Sequence, residues 1–376
     1  MRFNLWEDCN RVPLTELLSF VVDNRGKTVP TAPSGHKLIA TNCVTNNALF
    51  PVYEKIRYLS EETYQTWFRA HPIPGDILFV NKGTPGRVCL VPDPVDFCIA
   101  QDMIALRADE SKIYPKYLFA VLRSREIQQQ IYNTNVGDVI PHFKKQFLDQ
   151  LLIPIPERSI QESIGDLYYV LSLKAERNKK INDNLQQQAQ AIYSSMFIDN
   201  SESAWTHGHL SDLVTVKYGK DHKKLSEGIY PVYGSGGIMR YVERPLYDKE
   251  SVLIPRKGTL NNVMYVNQPF WSVDTMFYTE MKLPNVAKFV YHFVKAKDLA
   301  SMNAGSAVPS MTTDILNAME VVIPSASALE EFEALVAPMY EAMEANDVQS
   351  QALSKVRDTL LPKLMSGEID VSSVLL

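Results

Sequence analysis

The chain is written twice. The segment VGDVIPHFKKQFLDQLLIPIP (Val136–Pro156) returns as AGSAVPSMTTDILNAMEVVIP (Ala304–Pro324) at a constant offset of 168. Gly137 falls on Gly305, Pro141 on Pro309, Leu148 on Leu316, Ile155 on Ile323 and Pro156 on Pro324. The offset runs on without a gap, placing Glu162 on Glu330, Leu185 on Leu353 and Ile192 on Leu360. A duplication of this kind makes each half one structural unit, so any fold must be built from two copies of the same part. Upstream the halves match more loosely. PLTEL (Pro13–Leu17) resembles HLSDL (His209–Leu213), and VNKGTPGRV (Val80–Val88) resembles PRKGTLNNV (Pro255–Val263). The offset there drifts between 168 and 196, as loops of different length on a shared scaffold require.

Each copy ends in a long helical segment. Residues 160–197 lack Pro and contain one Gly, Gly165; residues 329–365 form the second segment. Heptad spacing gives Ile164, Leu171, Asn178, Leu185 and Ile192 in the first and Phe332, Met339, Asn346, Leu353 and Leu360 in the second. The companion sets are mixed: Leu167, Lys174, Ile181, Gln188, Ser195, and Leu335, Ala342, Gln349, Val356, Lys363. The two Asn coincide under the offset, and a polar Asn at a seam fixes register at a cost in stability. At 1.5 Å per residue each helix is roughly 55 Å long. Two such helices read as an antiparallel coiled coil holding two similar heads apart, with pseudo-two-fold symmetry. The expected division is head 1–156, helix 157–200, head 201–324, and helix with tail 325–376.

Charge is uneven. The net of −5 at pH 7 resolves into +1 for residues 1–155, −1 for 156–200, +1 for 201–324 and −6 for 325–376. Two near-neutral heads can still present basic faces, and the acidic excess sits almost entirely in the last segment. No apolar run approaches the ~20 residues of a membrane span. The start MRFNLWEDCN does not read as a signal peptide. Cys9, Cys43, Cys89 and Cys98 have no zinc-type spacing, so a reduced, cytoplasmic protein is expected.

Each head reads as α+β. Strands are expected at 37–40, 77–80, 88–91, 251–254 and 263–266, and short helices at 115–130 and 285–300. The chain has no GxxxxGK[ST], HExxH or GxSxG, and no Asn/Asp-Pro-Pro-Tyr/Phe run of an amino-methyltransferase. Asp93 and Asp96 lack the basic partner of a nuclease centre. His207 and His209 read as a solvated loop, Asp102 and Asp274 as loop-orienting groups, and Gly234–Gly237 as a flexible turn. What recurs is a basic, glycine-containing turn: Lys82-Gly83-Thr84 with Arg87, and Arg256-Lys257-Gly258-Thr259 with Asn261. Gly admits close backbone approach to phosphate, Lys and Arg neutralise it, and Thr and Asn can donate to phosphate or base edges.

Taken together, GDILFVNKGTPGRV, GDVIPHFKKQFLDQLLIPIP before a long helix, its degenerate copy, and the end LLPKLMSGEIDV make the chain resemble the DNA-specificity subunits of type I restriction–modification systems. The resemblance covers essentially the whole length. It implies two target-recognition domains, each reading one half of a split double-stranded DNA sequence, with the helices as a ruler between them. It further implies a non-catalytic chain without a cofactor of its own. Two modification subunits would carry S-adenosylmethionine and methylate adenine; restriction subunits would use ATP and Mg. Half-sites about one helical turn apart would suit two separated heads, and adenine must leave the base stack to be methylated.

The residues expected at DNA are Lys82, Gly83, Thr84 and Arg87 in the first head, with Thr41 and Asn42 in a reading loop. In the second they are Tyr233, Ser235, Arg256, Lys257, Gly258, Thr259 and Asn261. Three other readings compete: a restriction–modification enzyme with diverged motifs, a two-headed adaptor that binds proteins, and a specificity subunit of a related system that cleaves beside its target.

Overall fold

The computed structural model describes the chain except residues 1–3, 25, 135–140, 203, 303–309 and 371–376. The matched Gly137, Gly305 and Pro309 thus lie outside the described residues. The chain forms two compact units, Met1–Ile181 with Ala345–Leu376, and Asn182–Glu344. The helical segments are therefore shared between the units, each of which holds a head and a stretch of both long helices.

In the first unit the strands are β1 (Asn10–Pro13), β2 (Leu18–Val22), β3 (His36–Ile39), β4 (Arg57–Leu59), β5 (Ile77–Val80), β6 (Val88–Leu90), β7 (Phe97–Ile99), β8 (Met103–Ala108) and β9 (Leu152–Ile155). They form sheets ordered β2-β8-β5-β6, β4-β3-β7 and β1-β9. Pairing is antiparallel except between β3 and β7. β5 is an unbroken apolar run because both its faces are covered. Ile77 and Phe79 join a core with Leu118, Phe119 and Ile164, while Leu78 and Val80 join Ile39, Cys89 and Ile99 on the other side.

The second unit repeats this plan strand for strand. Its strands are β10 (Thr206–His209), β11 (Val214–Tyr218), β12 (Tyr230–Gly234), β13 (Gly237–Val242), β14 (Ser251–Pro255), β15 (Met264–Val266), β16 (Trp271–Ser272), β17 (Met276–Met281) and β18 (Glu320–Ile323). The sheets are β11-β17-β14-β15, β13-β12-β16 and β10-β18, again with one parallel pair, β12 with β16. β14 divides its side chains as β5 does, Val252 and Ile254 to one core and Leu253 to the other.

The helix expected at 115–130 is two, Pro115–Leu122 and Arg125–Thr134, broken where Arg123 and Ser124 turn the chain. Its counterpart is Ala287–Lys295. Both head helices dock on a long helix through their second residue. Lys116 Nζ lies 2.6 Å from Asp166 Oδ1, and Lys288 Nζ lies 2.6 Å from Glu333 Oε1. Gly165, which the offset equates with Glu333, lets the first docking close up: a Cβ there would stand 2.6 Å from Tyr117 N.

The long helices span Arg158–Ser194, followed by a wider π turn at Ser195–Asp199, and Ala326–Met365. Within each unit they run antiparallel. Tyr168 meets Arg357 and Asn178 meets Asn346 in the first; Asn182 meets Met343 and Tyr193 meets Phe332 in the second. The first heptad set of each helix lies on the seam, as does Leu167, which lines a cavity with Arg357 and Leu364, but most of the companion positions are displaced by one residue. Lys174, Ile181, Gln188, Ser195, Leu335, Ala342, Gln349 and Val356 are exposed. The seam is completed instead by Tyr168, Ala175, Asn182, Ala189 and Met196, and by Val336, Met343, Ser350, Arg357 and Leu364, all buried or half-buried. The seam steps by four and then three from Ile164, the reverse of the assumed order, which keeps Lys174 and Gln188 in water.

Candidate nucleic-acid interface

Both recurrent turns join the two strands at one end of a four-stranded sheet, β5 to β6 and β14 to β15. Each is clamped by the duplicated segment. Lys82 pairs with His142 and Lys257 with Ser310 in isolated antiparallel bridges. Phe143 N donates to Asn81 O at 2.8 Å, and its repeat equivalent Met311 N donates to Arg256 O at 2.9 Å. The recurrence in sequence is thus a recurrence in space. Gly83 and Gly258 take φ of +85° and +86°, a left-handed conformation that a side chain resists.

What the turns offer outward is charge. Lys82 and Lys257 are exposed and Arg87 half-buried, and none of the three side chains has an ion-pair or hydrogen-bond partner among the described residues. Thr84 is half-buried and Thr259 exposed. Arg256 is partly engaged: its Nη1 donates to Asp274 O at 2.9 Å and its guanidinium lies 5.6 Å from the Tyr218 ring centre. Asp274 therefore orients the turn through its carbonyl, and Asp102 does likewise, accepting from Asn81 N at 2.9 Å.

Two candidates are occupied elsewhere. Asn261 Nδ2 donates to Asp298 Oδ1 at 3.0 Å while its Oδ1 accepts from Ala300 N, so its amide braces a neighbouring turn. Asn42 Nδ2 donates to Glu54 O at 2.6 Å, closing the neck of its loop beside the Thr41 turn. Ser235 is brought to the basic turn: Asn262 Nδ2 donates to Ser235 O at 2.8 Å. Tyr233 lies on β12 and accepts from Gln268 Nε2 at 3.2 Å. Gly234 and Gly237 pair across the end of the β12–β13 hairpin, making the segment between them a tight turn.

Lys144, exposed and two residues past the bridge at His142, adds a further cation to the first turn. The Lys-Lys pair in the first copy, against Thr-Thr in the second, was its signal. Lys145 is bound to Asp23. Asp96 does have a basic neighbour, Lys37 Nζ at 2.5 Å, and also accepts from the Tyr53 hydroxyl. The pair is a partly exposed surface clasp, with the Lys37 ammonium over the Tyr53 ring. Among the described residues no group of three or more His, Cys, Asp or Glu could hold a metal ion, and no helix is long and apolar enough to cross a membrane.

Two copies of one α+β head, each carrying a solvent-facing basic turn and each built on paired long helices, define a duplicated two-headed protein. The model of the type I restriction modification DNA specificity domain matches residues 21–187 and again residues 202–331, one match per half. The chain belongs to that family. The MjaIX specificity subunit of Methanocaldococcus jannaschii is 22% identical over 344 residues, covering 80% of this chain and 79% of that protein. The HindI specificity subunit of Haemophilus influenzae is 20% identical over 410 residues, covering 78% and 86%. The crystal structure of the type I system S subunit from Mycoplasma genitalium has the same fold, with a TM-score of 0.61 at 19% identity over 96% of this chain and 98% of that one.

Proposed function

We propose that the chain is the DNA-specificity subunit of a type I restriction–modification complex, reading a two-part target with one head per half-site. The observation that carries this is the same free, basic turn held at the same place by the duplicated segment in two heads of different sequence. Phosphate contacts of that kind set register on the duplex, and different heads imply different half-sites. In this reading the chain is non-catalytic. Adenine methylation belongs to two modification subunits carrying S-adenosylmethionine, and cleavage to restriction subunits using ATP and Mg. The acidic stretch of the second long helix would be a docking face for those proteins.

The test is binding of the complex, assembled with its modification subunit, to the methylated sequence found in a host carrying the system. Lys82→Ala and Lys257→Ala should each weaken binding across sequences and lower the salt slope by about one. Arg256→Ala should do the same less strongly. Unchanged affinity with an unchanged slope for all three would reject the assignment of the turns to DNA.

A further inference from the structure

The two basic turns share Lys-Gly-Thr, and this shared part cannot be what makes one head read a different sequence from the other. Beside each turn lies an element in which the heads differ most: the connection between the two antiparallel strands of the three-stranded sheet. In the first head it is the long loop between β3, ending at Ile39, and β4, starting at Arg57. In the second it is only Ser235 and Gly236, between β12 and β13.

Different as they are, both connections are fastened to the basic turn. Val88 N, at the end of the first turn, donates to Asn46 Oδ1 at 2.9 Å. Arg123 Nη2 donates to Thr45 O, Ala48 O and Val88 O at 3.2, 2.5 and 2.7 Å, tying the loop and the turn's exit to one guanidinium that is stacked over Phe119. Asn47 sits inside this clasp, exposed, with no hydrogen bond among the described residues. In the second head Asn262 holds Ser235 O, and a Cβ on Gly258 would stand 2.7 Å from Ser235 Oγ. Just past this tip Met239 is 61% exposed and lies over Gly234, where an added Cβ would meet its sulfur at 2.5 Å.

We propose that each connection, with the strand residues that leave it, is the base-reading element, the contacting residue being Asn47 within the connection of the first head and Met239, on β13 just past the connection, in the second. The inference rests on the specificity-subunit reading above. The division of labour is physical: lysines on a shared turn find the phosphates, and the fastened but divergent loop meets base edges. A free carboxamide held on a fixed backbone can bond adenine N6 and N7 together, whereas an apolar side chain suits the thymine methyl. The first half-site should then contain an adenine read through its major-groove edge, and the second a thymine.

The experiment is to co-express each variant with the modification subunit and map genomic adenine methylation base by base, with salt-dependent binding measured on the purified complexes. Asn47→Ala should relax discrimination about ten- to hundredfold at one base pair of one half-site. Met239→Ala should relax one position of the other half-site, and both should leave the salt slope unchanged. Lys82→Ala supplies the contrast, a uniform loss with a lower slope. Both side chains are exposed, so the fold should survive; matching unfolding midpoints verify it, and Asn47→Ser and Met239→Leu serve if either Ala variant unfolds. If the unaltered complex methylates no two-part sequence, the functional reading itself falls. If it does, and the variants methylate the unaltered motif, or lose discrimination in both half-sites alike, only the assignment of these loops is overturned.

Discussion

Asn178 Nδ2 donates to the backbone carbonyl of Asn346, the residue that the internal repeat makes its own equivalent. In an antiparallel pair of repeated helices one position along the pair meets its own copy, and here that position is the Asn of each seam. The same amide reaches Gln349 Oε1 at 2.9 Å and Ser350 Oγ at 3.2 Å, and Asn178 is 2% exposed. Such a group costs stability relative to Leu but holds alignment. Asn178→Leu should therefore keep or raise the unfolding midpoint while loosening register. Oxidative cross-linking between Asn182→Cys and Met343→Cys should fall in that background. An undiminished cross-link would remove the register role from Asn178.

The two basic turns should respond unequally to the same substitution. Gly83 and Gly258 share a left-handed φ, so Ala strains both by about 1 kcal/mol or more. Only at Gly258 does the new Cβ also collide, at 2.7 Å from Ser235 Oγ; around Gly83 nothing lies within 4 Å. Gly258→Ala should lower stability in denaturant titration by about 1 kcal/mol more than Gly83→Ala. Equal losses would mean that Ser235 simply swings aside.

The repeat, the two long helices and the strands around Ile77 and Ser251 were legible because they rest on local pattern: constant offset, spacing of three and four, and apolar runs buried on both faces. The companion seam was misplaced beyond Leu167 because Leu167 and Tyr168 are both apolar and both line the cavity with Arg357 and Leu364, so only further along, where Lys174 and Gln188 face solvent, does the other step show itself. The basic turns were legible as a recurrence. Their clamp was not, since His142 lies 60 residues beyond Lys82 and Ser310 lies 53 beyond Lys257, and both act through backbone. Asn42 and Asn261 show the limit most plainly. An exposed Asn in a loop has the chemistry of a base reader, and whether its amide is free depends on carbonyls and carboxylates that only the fold brings near.

Lys288 should be among the most sensitive positions of the second unit. Its side chain is 5% exposed and is held by Glu333 and by Glu250, 2.6 and 3.0 Å away. Removing the cation leaves two carboxylates close together without a counter-charge, which for buried pairs costs about 3–5 kcal/mol. Glu250 and Glu333 are 33% and 23% exposed and can recruit water, so a loss nearer 2–3 kcal/mol is expected for Lys288→Met. Adding Glu333→Gln should restore part of it. The measurement is a denaturant double-mutant cycle, and strictly additive losses would deny the coupling.

His292 gives the second unit a defined acid sensitivity. Its ring is wholly buried and satisfied as the neutral form: Nδ1 donates to Gln190 Oε1 at 2.8 Å and Nε2 accepts from the Tyr340 hydroxyl at 2.9 Å. Burial, with a smaller contribution from the Lys295 charge, pushes its pKa down from 6.5 to about 4. The unfolded chain therefore takes up a proton below pH 6.5 that the folded chain refuses until about pH 4, so stability is full above that window and declines as pH falls through it. Between pH 7 and pH 5 the loss from this group is about 2 kcal/mol. In His292→Phe, whatever its overall stability, that part of the pH dependence should vanish. Denaturant titrations of both proteins at the two pH values decide it: an equal drop in the two would show that carboxylates, and not this imidazole, govern the acid limb.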